Sequence, residues 1–83
     1  MPPDPTLVDA RGLKCPLPVL KAEKALDRLP AGATLLVLAT DPMARVDIPH
    51  FCRRRGFGCS VEADGDVLRF TIGPQAPDAD NGR

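Results

Sequence analysis

Tryptophan and tyrosine are absent, and aromatic residues make up only 4% of the 83-residue chain. Its core must therefore be aliphatic. Net charge is absent too, because 11 Lys and Arg balance 11 Asp and Glu. No overall field draws the chain to nucleic acid or to an anionic membrane. The longest apolar run, 34–40, is far short of the roughly 20 residues that cross a bilayer. A basic N-terminal stretch followed by an apolar one, the mark of a secretory signal, is missing as well. The chain is expected to be soluble and cytoplasmic. Cysteine is sparse: Cys15, Cys52 and Cys59 include no CxxC pair, and the single histidine, His50, completes no zinc pattern. Neither a disulfide framework nor a metal is expected. In a reducing compartment one thiol can stay free for chemistry.

What is present fits one small domain, since half of this length could not bury a core of its own. Prolines bracket it, with Pro2, Pro3 and Pro5 before and Pro74 and Pro77 after. Residues 1–6 and 74–83 are expected to be flexible tails around a domain at 7–73. A short strand at 7–9 ends at a loop containing Arg11, Gly12, Leu13 and Lys14, which delivers Cys15. Pro16 opens a helix of about 14 residues, with Pro18 tolerated in its first turn and Ala22, Leu26 and Leu29 on its apolar face. Pro30 stops it. The run at 34–39 is apolar without alternation, as in a strand covered on both faces or central in a sheet, and it is placed at the centre.

Asp41-Pro42 starts a second helical region that contains Pro49, a residue that breaks helix interiors. Two pieces are expected, a turn over 42–46 and a fresh helix capped by Asp47. Ile48, Phe51 and Cys52 share its buried face, Arg53 to Arg55 close it, and Gly56 stops it. Alternation at 57–63 and 68–72 around Asp64-Gly65 predicts a β-hairpin. The order βαβαββ gives an α+β two-layer sandwich, a mixed four-stranded sheet with two helices packed on one face.

The sharpest local feature is Gly12-Leu13-Lys14-Cys15-Pro16-Leu17-Pro18. A thiol at a helix N-terminus beside a lysine gains thiolate character, and such cysteines fall from about 8.5 to between roughly 3.5 and 7.5. A depressed pKa is predicted for Cys15, moderated because two prolines remove amides that could donate to the sulfur. Burial as a small hydrophobe is the competing reading, and Gly12 and Lys14 argue against it by marking a surface excursion. Cys52 and Cys59 lie on apolar faces and are expected to be buried and inert. His50 could serve a thiolate as base, but its spacing does not bring it to Cys15. Arg45, Asp47, His50, Arg53 and Arg54 form a candidate partner surface. With few aromatics to stack on bases and no RNA-binding loop, nucleic acid is not the expected partner. A surface thiol without a vicinal partner suits carrying a group better than dithiol oxidation. Two alternatives stay open: a regulatory protein- or RNA-binding module with a structural Cys15, and a redox sensor.

The stretch from Leu7 to Pro18, with Asp41-Pro42 and Asp47-Ile48-Pro49-His50-Phe51-Cys52, resembles the TusA family of sulfur carriers, also called SirA-like proteins. The resemblance covers 7–73 and implies the same βαβαββ sandwich. It implies that Cys15 bears a persulfide, with Arg11, Gly12, Lys14, Pro16 and Pro18 supporting it. A cysteine desulfurase or rhodanese-like protein would donate the sulfur, and a DsrE-type or other persulfide acceptor would take it. The implied destinations are tRNA thiolation, molybdenum cofactor synthesis or sulfur oxidation. No cofactor or metal is implied, and donor and acceptor are expected to be separate molecules.

Overall fold

A computed structural model describes residues 5–75. The elements run β1 (Thr6–Ala10), α1 (Leu17–Asp27), β2 (Leu35–Ala39), α2 (Ala44–Arg55), β3 (Phe57–Asp64) and β4 (Val67–Gln75). They make one four-stranded sheet in the order β1-β2-β4-β3, with β1 and β2 parallel and the other pairs antiparallel. The order βαβαββ and the mixed sheet are as the pattern predicts. β1 and β4 run slightly beyond 7–73, and residues 1–4 and 76–83 of the expected tails lie outside the described residues.

The register explains why the core is single. Val8 pairs with Val37, Val37 with Phe70 and Phe70 with Val61, so one row of apolar side chains crosses all four strands. Leu35, Ile72 and Cys59 align in the row on one side of it, and Ala10, Ala39 and Leu68 in the row on the other. Because side chains two apart share a face, these rows point the same way. α1 meets them over β1 and β2, and α2 over β3 and β4. α1 supplies Ala22 and Leu26, and α2 supplies Ala44, Ile48, Phe51 and Cys52.

β2 lies inside the sheet, as its apolar run suggests, but only one of its faces is sealed. Leu35, Val37 and Ala39 are buried, whereas Leu36 and Leu38 on the other face are half-buried. Cys59 is half-buried rather than sealed, because β3 is an edge strand. The hairpin loop is Gly65-Asp66, one residue later than Asp64-Gly65, and Gly65 takes the positive φ of 62° that such a turn requires.

α2 is one continuous helix, not two pieces. Pro49 sits inside it. The physical reason is the buried stripe Ala44, Ile48, Phe51 and Cys52, which stays on one face only if the helix is unbroken. Pro49 removes a single hydrogen bond, to the carbonyl of Arg45, at an exposed position where water can meet the acceptor. The preceding residues already wind in, through Ala44 N–H to Asp41 C=O at 3.0 Å and Asp47 N–H to Met43 C=O at 2.9 Å. α1 is shorter than its pattern, 11 residues against about 14, since the Arg28 amide turns back onto the Ala25 carbonyl and the Leu29 amide onto the Leu26 carbonyl, each at 3.1 Å. Gly56 ends α2 at φ 78°, the left-handed cap expected of it.

The centre of the sheet is where truncation should hurt most. Phe70 is fully buried, so Phe70→Ala is expected to lose about 3–5 kcal/mol. A small domain has about 5–15 kcal/mol in total. Urea unfolding followed by circular dichroism checks this, and Leu36→Ala, on the open face, should cost much less.

Candidate functional site

β1 and β2 run parallel in flush register, from Thr6 opposite Leu35 to Ala10 opposite Ala39. Their C-terminal ends therefore finish side by side, and the chain leaves both in the same place. In sheets of this kind the loops at the carboxyl ends of parallel strands form the working edge. Here the loop after β1 carries Cys15, and the loop after β2 carries Asp41.

The two loops are clasped by side chain to backbone hydrogen bonds. Gly12 N–H donates to Thr40 Oγ1 at 2.9 Å, and Cys15 N–H donates to Asp41 Oδ2 at 2.6 Å. The other Asp41 oxygen accepts Met43 N–H at 3.1 Å, so this carboxylate ties Cys15 to the turn that starts α2. Arg11 bends back onto Asp9, donating from Nε and a terminal nitrogen, each at 2.8 Å. That pairing holds the Asp9 carboxyl at a pKa of about 2, the Arg11 side-chain hydrogen bond being the chief cause.

Cys15 is exposed, Cys52 is buried and Cys59 is half-buried. The Cys15 thiol donates to Asp47 Oδ2 at 2.9 Å. This bond raises its pKa above the ordinary thiol value, with desolvation and the charges of Asp47 and Asp41 adding in the same direction. The expected depression is thus overturned. Two features account for it. Pro16 and Pro18 carry no N–H, and the Leu17 amide is spent on the Lys14 carbonyl at 2.8 Å, so the first turn of α1 has few donors to aim at sulfur. Asp47 and Asp41, brought in by the second loop and helix, then decide the sign. Cys52 is likewise held as a thiol, by its hydrogen bond with Cys59 and by burial.

The other candidate residues fall into two groups. Gly12, Lys14, Pro16 and Pro18 surround Cys15 in its loop and first turn, Pro18 buried and the rest exposed, with Pro16 joined to Cys15 through a cis peptide. Asp47 reaches the thiol from the first turn of α2. Arg45 and His50 are exposed on α2 and make no hydrogen bond to Cys15 among the described residues, and Arg53 and Arg54 lie about 10 Å beyond Asp47 along that helix. His50 is therefore no base for the thiol here.

Sequence reasoning missed the pairing of Asp47 with Cys15, and it missed the apolar rim. Leu17, Leu20, Met43 and Val46 are all exposed, between 46% and 60%. Leu13, Leu17, Leu20, Lys21 and Lys24 line a shallow groove of about 440 Å³ beside the Cys15 loop. The signal for the rim was available in Leu17 and Leu20, which fall off the Ala22 and Leu26 face of α1. Among the described residues no group of acidic, histidine or cysteine side chains could hold a metal ion. No helix among them is long and apolar enough to cross a membrane.

A family model described as sulfurtransferase TusA matches residues 6–73. A sulfur carrier protein TusA of Pseudomonas fluorescens is 54% identical over 52 residues, which cover 63% of this chain and 61% of that protein. A relative from Neisseria meningitidis serogroup A, provisionally named a sulfur carrier, is 53% identical over 49 residues, covering 59% of this chain and 66% of its own length. The chain thus spans less than two thirds of the length of these relatives. The crystal structure of a SirA-like protein from Desulfitobacterium hafniense superposes with a TM-score of 0.74 at 33% identity, covering 81% of this chain and 93% of that one.

The thiol geometry has a direct consequence in solution. Alkylation of Cys15 by iodoacetamide, followed against pH by peptide mass, should show a midpoint above that of free cysteine, because only the thiolate reacts. A midpoint below it would contradict the Asp47 hydrogen bond.

Proposed function

The chain belongs to the TusA sulfurtransferase family, and from that membership we propose that it carries sulfane sulfur as a persulfide on Cys15. The observation that carries this reading is that Cys15 alone of the three cysteines is exposed, on a loop clasped to its neighbour by Thr40 and Asp41. A carrier needs a thiol that large partners can reach and that has no second thiol beside it. An adjacent thiol would attack the loaded sulfur and release it, closing a disulfide. Cys52 and Cys59 pair with each other instead.

The shape of the site supports handing on rather than enclosing a substrate. The sulfur is exposed rather than enclosed, and at the starts of α1 and α2, which meet at Cys15, the apolar residues Leu17, Leu20, Met43 and Val46 are exposed too. Such a rim excludes water when a protein docks and gives a thiol exchange a dry setting. The donor we propose is a cysteine desulfurase or rhodanese-like protein, and the acceptor a DsrE-type or other persulfide-accepting protein. The sulfur would serve tRNA thiolation, molybdenum cofactor synthesis or sulfur oxidation. In each transfer Cys15 attacks the outer sulfur of the donor persulfide, and an acceptor thiolate later attacks the outer sulfur held on Cys15. Lys14 adds positive charge to the loop, Arg11 braces it through its pair with Asp9, and Pro16 and Pro18 stiffen the start of α1.

Incubation of the protein with glutathione persulfide should add about 32 Da per sulfur atom transferred, read by intact mass. Cys15→Ser should abolish the adduct, whereas Cys52→Ala and Cys59→Ala should keep it. An adduct that survives Cys15→Ser and is lost with either other cysteine would place the sulfur elsewhere and end this reading.

A further inference from the structure

The surroundings of the thiol are electrically one-sided. Asp47 Oδ2 lies 2.9 Å from Cys15 Sγ, and Asp41 Oδ2 lies 2.6 Å from the Cys15 amide nitrogen, so two acidic groups face one cysteine. Asp41 is satisfied, because each of its oxygens accepts a backbone amide. Asp47 is not. Among the described residues its half-buried carboxylate meets the thiol and no cation. The positive groups of the same loop do not supply one: Arg11 is held by Asp9 at 2.8 Å, and Lys14 makes no ion pair among the described residues. On α1, Lys21 reaches the Asp9 carbonyl at 3.4 Å instead.

A carboxylate in this position works against the nucleophile. The reacting form of cysteine is the thiolate, and a negative oxygen in contact with the sulfur disfavours a second negative charge. A positive group placed on Asp47 would cancel that effect, and the open, apolar-rimmed surface leaves room for it to arrive from outside. We propose that Asp47 holds Cys15 as the resting thiol, and that the sulfur-donating protein frees it by bringing a lysine or arginine beside its own persulfide to pair with Asp47. This rests on the reading of Cys15 as the sulfur-accepting residue, and it makes Asp47 a positioning residue that also selects a cationic partner.

The transfer balances without an oxidant or reductant. As Cys15 sulfur bonds to the outer sulfur of the donor persulfide, the donor's S–S bond breaks and its cysteine leaves as a thiolate. The proton given up by Cys15 goes to that leaving thiolate, so a thiol and a persulfide become a persulfide and a thiol. Loss of the donor's cation on undocking restores the Asp47 hold on any unloaded Cys15.

The test uses the full chain and two small persulfides at low ionic strength and pH 7, that of cysteamine, which is cationic, and that of 3-mercaptopropionate, which is anionic. Initial rates of adduct formation are compared in the wild type, Asp47→Asn and Asp47→Glu. The ratio of cationic to anionic rates should be about fivefold higher in the wild type than in Asp47→Asn. Differences between the leaving thiols are common to both proteins and cancel. Asp47→Glu should retain much of the preference, and 1 M salt should remove it. A purely structural Asp47 would move the melting temperature and leave the ratio untouched, which overturns the proposal. A parallel measurement compares alkylation of Cys15 by 2-bromoethylamine and by iodoacetate, reading the same charge preference without sulfur transfer. If the wild type takes up no sulfur yet shows the alkylation preference and loses it in Asp47→Asn, the carrier reading fails and the Asp47 hold stands. If sulfur loads on Cys15 with no charge preference in either measurement, the carrier reading stands and this proposal falls.

Discussion

The parallel pairing of β1 with β2 is the constraint on which the rest of the molecule depends. Parallel strands cannot be joined by a tight turn, so α1 must cross over the sheet between them. The same register that seats Val8 beside Val37 ends both strands level, at Ala10 and Ala39. Two loops separated by nearly thirty residues of sequence then leave the sheet together, and Thr40 and Asp41 can reach the backbone of the Cys15 loop. The apolar row that makes the core and the clasp that makes the site are therefore consequences of one pairing. A slip of one residue in β1 would turn Val8 to the open face and also part the loops.

Given that frame, the chemistry of Cys15 is set by what each side contributes. α1 brings a helix N-terminus, a favourable place for a negative charge. Its first turn, however, contains Pro16 and Pro18 and a Leu17 amide already bonded to Lys14, so little of that field is delivered through hydrogen bonds to sulfur. α2 brings Asp47, which accepts a direct bond from the thiol. A contact at hydrogen-bond distance outweighs a dipole whose donors are missing or occupied. The thiol pKa is therefore raised, at a place where the macrodipole alone would have lowered it.

The legible part of this architecture was the part written in local pattern. Ala22 and Leu26, then Ile48, Phe51 and Cys52, declare their buried faces by spacing, and Gly56 and Gly65 mark where helix and hairpin must turn with positive φ. The central place of β2 was readable from its unbroken apolar run. The continuity of α2 was not, because the penalty of Pro49 is local while the benefit of a single stripe from Ala44 to Cys52 is tertiary. The pairing of Cys15 with Asp47 was hidden for the same reason. Spacing along the chain says nothing of a contact made by two loops that meet only once β1 and β2 are in register. Cys15 itself was legible, since Gly12, Lys14 and Pro16 mark an exposed turn whether or not the neighbouring loop is known.

A surface carrier faces a conflict between exposure and restraint. On the proposed reading the sulfur must be open enough for large proteins to approach, yet a thiolate left open would react with any electrophile or oxidant it met. Burial would solve the second problem and defeat the first. The arrangement at Cys15 separates the two requirements: the loop keeps the atom accessible, while the Asp47 hydrogen bond lowers its reactivity without covering it. Restraint of this kind is electrostatic and is undone by charge rather than by unfolding. The loops clasped by Thr40 and Asp41 can therefore stay fixed while the sulfur changes from quiescent to nucleophilic. A rigid site of this sort has little ordering entropy left to lose when a partner docks, and the free energy of docking can go into pairing the carboxylate and drying the apolar rim.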